Sequence, residues 1–65
     1  MKKARLDLRK NLSEEEKNII RKRMQGYYFC LNDAIKNGLE MYFYDFDSLK
    51  NRWGRFCEKI EIIKQ

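Results

Sequence analysis

Histidine and proline are absent from the 65 residues, glycine occurs only three times and cysteine only twice. Without histidine the chain has no side chain that titrates near neutral pH by default, and no imidazole metal ligand. Cys30 and Cys57 lie far apart in sequence. They supply neither a disulfide framework nor the paired spacing of a zinc site. Each sits beside apolar residues and reads as a small buried side chain. There is no glycine-rich phosphate loop and no nucleophile elbow. Glu14, Glu15 and Glu16 are consecutive and read as charges at a helix start, not as a converging catalytic pair. No enzyme, no metal and no cofactor are expected. No apolar run approaches the roughly 20 residues needed to cross a bilayer, and no leader of the secretory pattern is visible. The expectation is a cytoplasmic protein with reduced thiols and no membrane partner.

The charge that is present is uneven. The net charge is +5, and the first ten residues hold Lys2, Lys3, Arg5, Arg9 and Lys10 against one acid, Asp7. Residues 26–47 are acidic on balance, and residues 48–65 are basic again. A basic arm on a small protein suggests a polyanionic partner, usually nucleic acid; the plain alternative is a solvated terminus. A chain this short buries only about 60% of its unfolded surface. Such chains often draw extra stability from a partner, so a homodimer is expected.

Residues 3–9 alternate, with Ala4, Leu6 and Leu8 on one face and Lys3, Arg5, Asp7 and Arg9 on the other. Period two predicts a strand. A lone strand leaves its backbone groups unpaired. Its mate is either the short tail Lys59-Ile60-Glu61-Ile62-Ile63 or the same segment of a second chain. A first helix is predicted from Ser13, where Ser13 and Glu16 form a capping box and Leu12 precedes the cap. Ile19, Ile20 and Met24 form its apolar stripe, Arg21, Lys22 and Arg23 suit its C-terminal end, and Gly26 is a candidate terminator. Leu31, Ala34, Ile35, Gly38, Leu39, Tyr42 and Phe46 share one face of a second helix. Asn37-Gly38 leaves a hairpin open as the alternative, pairing Tyr28–Lys36 with Leu39–Phe46. A third helix is predicted to start near Asp47 or Ser48, with Leu49, Trp53, Phe56, Cys57, Ile60 and Ile63 on one face. The fold class expected is mostly α, with one N-terminal strand and two or three helices.

The aromatic residues Tyr27, Tyr28, Phe29, Tyr42, Phe43, Tyr44 and Phe46 could stack bases. Because their surroundings are acidic, core and subunit interface is the favoured reading, with Tyr44 and Met41 off the main stripe as marks of a second contact surface. The order of elements, with Arg5-Leu6-Asp7-Leu8-Arg9, Ser13-Glu14-Glu15-Glu16, Gly26-Tyr27, and Leu31 to Lys36 followed by Gly38-Leu39-Glu40, resembles the ribbon-helix-helix family of β-ribbon DNA readers. The resemblance covers about residues 3–46. It lacks the Ser or Thr usual at the start of the second helix, where Tyr28, Phe29 and Cys30 stand.

The resemblance implies an intertwined homodimer that binds double-stranded DNA in a sequence-specific manner, as a transcriptional repressor or autoregulator. Residues 1–46 would form the DNA-binding and dimerisation domain, with residues 47–65 a C-terminal helical extension. In that arrangement Arg5, Asp7 and Arg9 face base edges. Lys2, Lys3 and Lys10, joined by Arg21, Lys22 and Arg23, hold phosphates. Leu6, Leu8, Leu31, Ile35, Leu39 and Tyr42 form the dimer interface. The extension could thicken the dimer core, join dimers into tetramers or bind another protein. The rival reading is a small phage- or plasmid-type inhibitor or antitoxin that works by binding a protein partner, with strand 3–9 added to that partner's sheet edge.

Overall fold

The computed structural model describes residues 2–27 and 29–64. In chain order the elements are strand β1 (Lys2–Leu8), helix α1 (Glu14–Arg23), helix α2 (Leu31–Asn37), strand β2 (Leu39–Phe43), helix α3 (Phe46–Trp53), a 3-10 turn (Gly54–Phe56) and strand β3 (Cys57–Lys64). The strands form one antiparallel sheet in the order β2-β1-β3. This overturns the mostly α expectation and the ribbon-helix-helix arrangement with it. The protein is a small α/β fold, with an intrachain sheet where an intertwined ribbon was expected.

Strand β1 has the alternation read from sequence. Ala4, Leu6 and Leu8 are completely buried, while Lys3, Arg5 and Asp7 on the opposite face are half-buried. Both of its edges are paired within the chain. Ala4 lies opposite Met41 and Ile62, and Leu6 opposite Leu39 and Ile60. The C-terminal tail is therefore one of the mates, as one alternative held, and β2 is the other. The pairing runs over Lys2–Leu6 with β2 and over Lys3–Leu8 with β3, so β1 is a central strand without a second chain. Register shifts between Lys3 and Ala4 and between Asp7 and Leu8 mark irregularities in the pairing with β3.

The second and third helices are shorter than periodicity implied. Helix α2 stops at Asn37, and Gly38 closes it with its N–H donated to the Ala34 carbonyl at 2.8 Å. Gly38 has φ +89° and ψ 169°, a region open essentially to glycine alone. Asn37-Gly38 is thus neither mid-helix nor a hairpin turn but a helix-to-strand corner. Beyond it Leu39, Met41 and Phe43 turn inward, and Glu40 and Tyr42 outward. Residues 39, 42 and 46 fit a 3.6-residue period as well as 39, 41 and 43 fit a period of two, so the apolar pattern alone could not separate helix from strand.

Helix α3 is capped two residues earlier than expected. The Asp45 carboxylate accepts from the Ser48 backbone N–H at 3.0 Å and from the Ser48 hydroxyl at 2.8 Å. The helix gives way at Gly54, where glycine weakens helical propensity. The β-branched residues Ile60, Ile62 and Ile63 then continue as strand.

Helix α1 follows its sequence signals. Ser13 Oγ accepts from Glu16 N at 3.1 Å, and Glu16 Oε1 accepts from Ser13 N at 3.0 Å. Leu12, just before the cap, is buried.

The helices lie on one face of the sheet. Ile20 of α1, Leu31 and Ala34 of α2, and Leu49 and Trp53 of α3 join Ala4, Leu6, Leu8, Leu12, Phe43 and Phe56 in a single core. The opposite face is polar, carrying Lys3, Arg5, Asp7, Glu40, Tyr42, Lys59 and Glu61. The segments 1–46 and 47–65 are interleaved in this sheet, since β1 sits between β2 from the first and β3 from the second. Tyr28, one of the aromatics read from sequence, lies outside the described residues.

Candidate nucleic-acid interface

Of the cations of the N-terminal arm, Lys3, Arg5, Arg9 and Lys10 are engaged within the chain, whereas Lys2 is exposed and has no carboxylate within ion-pair distance among the described residues. Lys3 Nζ lies 3.0 Å from the Glu40 carboxylate, and Arg5 Nε lies 3.1 Å from Asp7 Oδ1. Arg5 also donates to the Asn37 carbonyl at 2.7 Å. Arg9 lies past the end of β1 and contacts Glu16 Oε2 at 2.5 Å. Lys10 donates to the Ile35 carbonyl. Glu40, by hydrogen bond and charge, raises the Lys3 pKa. Of the residues assigned to DNA, Lys3, Arg5 and Asp7 share the open sheet face, Lys2 is exposed at the start of β1, and Arg9 and Lys10 lie past its end with their side chains on α1 and α2. That open face is charge-balanced, since Arg5 lies opposite Glu40 and Glu61, and Asp7 opposite Lys59.

The residues assigned to a dimer interface do not share a surface. Leu6, Leu8 and Leu31 are buried in the core, Ile35 and Leu39 are packed against it, and Tyr42 is 58% exposed.

A second basic region arises from local helix physics. The exposed or carbonyl-bearing C-terminal ends of helices favour cations. Arg21, Lys22 and Arg23 occupy the last turn of α1, and Lys50 and Arg52 that of α3. The fold brings these ends together. The Arg23 guanidinium reaches across to donate to the Arg52 carbonyl. It lies 5.4 Å from the centre of the Trp53 ring and 5.2 Å from that of Phe56, within cation–π range. Arg55, on the 3-10 turn, lies 4.6 Å from the Phe56 ring centre. Trp53 and Phe56 are themselves buried and meet edge to face at 6.1 Å, so they form a firm floor. Burial lowers the Arg23 pKa, and the like charges of Arg52 and Arg55 lower it further. Arginine remains protonated through such shifts. Among the described residues none of Arg21, Lys22, Arg23, Arg52 or Arg55 has a carboxylate within ion-pair distance.

Next to this arginine end runs a cleft along the free edge of β2. One part, about 400 Å³, is lined by Arg23, Met24, Tyr27, Tyr42, Arg52 and Trp53 among others. The adjoining part, about 360 Å³, shares Met41, Tyr42, Arg52 and Trp53 with it and extends to Tyr44, Asp45 and Ser48. Tyr27, Tyr42 and Tyr44 are 71%, 58% and 83% exposed. They are therefore not core aromatics, which corrects the core part of the favoured reading for Tyr27 and Tyr42, whereas Tyr44 is the residue already set off the main stripe. The two acids on the cleft have partners: Glu40 pairs with Lys3, and Asp45 caps α3. Hydrogen bonds from Ser48 hold the Asp45 carboxyl below its ordinary range.

Arg21, Lys22 and Arg23 stand in the sequence as expected phosphate contacts. Arg52 and Arg55 do not, because a helix carried through residue 63 puts the last turn in the wrong place. Among the described residues no group of three or more His, Cys, Asp or Glu side chains could hold a metal ion, and no helix is long and apolar enough to cross a membrane. No family model, curated protein or solved structure matches the chain.

Proposed function

We propose that the protein binds nucleic acid, and that the phosphate-contacting surface is the joined C-terminal end of α1 and α3, not strand β1. The observation that carries this reading is the gathering of Arg23, Arg52 and Arg55, with Arg21 and Lys22 beside them, without carboxylate partners. Bringing like charges together costs energy that a polyanion would return. Arginine also presents a planar fork of donors suited to phosphate. Lys3, Arg5 and Arg9 contribute less, since a phosphate would first have to displace Glu40, Asp7 or Glu16 from them.

The test is a fluorescence-polarisation titration of labelled DNA at two salt concentrations. Each phosphate contact contributes about 0.7–0.9 to the slope of log affinity against log salt. Arg52→Gln with Arg55→Gln, both exposed positions, is expected to lower that slope by roughly 1.5. Lys3→Gln with Arg5→Gln is expected to leave it nearly unchanged. An unchanged slope in the first pair and a loss in the second would return the contact to β1. No binding by the unaltered protein would remove the nucleic-acid reading.

A further inference from the structure

The cleft beside the arginine end has a chemistry that phosphate binding alone does not require. Tyr27 stands at one end of it, Tyr42 in the middle and Tyr44 at the other end, with Arg52 common to both parts. All three rings are largely exposed, and Tyr42 faces away from the core because it alternates with the inward-facing Met41 and Phe43. Tyr42 carries Lys3 Nζ at 5.6 Å from its ring centre, which leaves the ring on the polar side of the sheet. The cleft follows β2 along the edge that has no strand neighbour.

Resting on the nucleic-acid reading above, we infer that this cleft takes the unstacked bases of a single strand, with Tyr27, Tyr42 and Tyr44 as stacking surfaces and Arg23 and Arg52 on the adjoining phosphates. Every base presents a π face, and an exposed aromatic ring can stack on it without regard to sequence. In a duplex those faces are already stacked on one another, so a duplex offers this surface its phosphates only. The basic side of the cleft and its exposed rings therefore favour a single strand over a double one. An acidic extended peptide could use the arginines and the free strand edge, but it would leave the three rings without a role.

The experiment compares a short fluorescein-labelled oligothymidine with a hairpin duplex of equal phosphate count, and uses polyglutamate as a competitor. The single strand is expected to bind at least about tenfold more tightly than the duplex. Tyr42→Leu and Tyr44→Leu are each expected to weaken it by about five- to a hundredfold, the range of one stacked base. Tyr42→Phe and Tyr44→Phe, which keep the ring, are expected to bind like the unaltered protein. These positions are exposed, and circular dichroism checks that the leucine variants remain folded. Equal affinity for both forms, or leucine variants that bind as well as the phenylalanine ones, would overturn the stacking inference. If arginine substitution still weakened binding, phosphate contact would survive. Preferential binding of polyglutamate, or no binding to either nucleic acid, would overturn both.

Discussion

On and just after strand β1, Lys3, Arg5 and Arg9 each lie within 3.1 Å of a carboxylate oxygen. At the joined ends of α1 and α3, Arg23 and Arg55 lie over aromatic rings and beside further arginine. The two regions look alike in sequence, as runs of Lys and Arg. They differ in what the fold sets against them. In the centre of a sheet, side chains of β1 have cross-strand neighbours on both sides, and acids placed there neutralise them. At a helix C-terminus the backbone itself favours the cation, so no acid is needed nearby. Charge available to a partner is therefore set by which element ends where, and cannot be counted from composition.

The largest expected effect tests whether the arginine end depends on its aromatic floor. Trp53→Ala removes a buried ring that supports the Arg23 guanidinium. It is expected to destabilise the fold by about 3–5 kcal/mol, measured by urea denaturation. Nucleic-acid affinity, measured where the variant is still folded, should fall with it.

Gly38→Ala attacks the other region. An added Cβ would meet Asp7 Oδ1 at 3.0 Å and the Arg5 guanidinium at 3.1 Å, in a backbone conformation that side chains resist. A loss of about 1–3 kcal/mol is expected, with nucleic-acid affinity of the folded protein retained. Loss of affinity in Gly38→Ala, with none in Trp53→Ala, would reverse the contrast between the two regions.

A smaller effect concerns acid. The Glu16 carboxyl is held below its ordinary range, chiefly by the Ser13 backbone N–H and also by Arg9. The Asp45 carboxyl is held down by Ser48. A depressed folded-state pKa stabilises the protein above the unfolded value, and that contribution is lost as pH falls through the folded one. The urea midpoint should thus decline on acidification between about pH 5 and pH 2, and decline less steeply in Glu16→Gln. An equally steep decline in that variant would mean that Glu16 takes no part.

The smallest effect leaves stability untouched. Burial, with help from Asp7, pushes the Cys57 thiol up to about 11, whereas Cys30 is exposed. The thiolate is the reactive form. Iodoacetamide at about pH 8 should therefore modify Cys30 at least about tenfold faster than Cys57. Mass spectrometry of a time course reads this directly, and equal rates would contradict the packing of β3 against β1.

Much of the local structure was legible. The alternation of Ala4, Leu6 and Leu8 marked β1, and Ser13 with Glu16 marked the start of α1. The topology was not, for a specific reason. Leu39, Tyr42 and Phe46 satisfy helical spacing, so β2 is hidden inside an apparently amphipathic helix; Phe56, Ile60 and Ile63 satisfy it too, so β3 stands in the sequence only as an alternative to a longer third helix. With β2 hidden, the sequence offers β1 one mate in the chain, the tail, and a second chain as the alternative; the fold supplies both edges from within the chain. The same ambiguity displaced the site. Arg52 becomes a helix-end cation only when α3 stops at Trp53, and Tyr42 turns outward only when residues 39–43 alternate as a strand.

The contrast between the two basic regions is tested most directly by amide and arginine Nε chemical-shift changes in the 15N-labelled protein during titration with oligothymidine. If the arginine end is the binding surface, the changes should centre on Arg21–Arg23, Met41–Tyr44 and Arg52–Arg55, with Lys3 moving only through its contact with the Tyr42 ring and with Arg5–Asp7 and Lys59–Glu61 nearly still. Changes centred on Arg5, Asp7 and Lys59, with the Nε signals of Arg23, Arg52 and Arg55 unmoved, would contradict it.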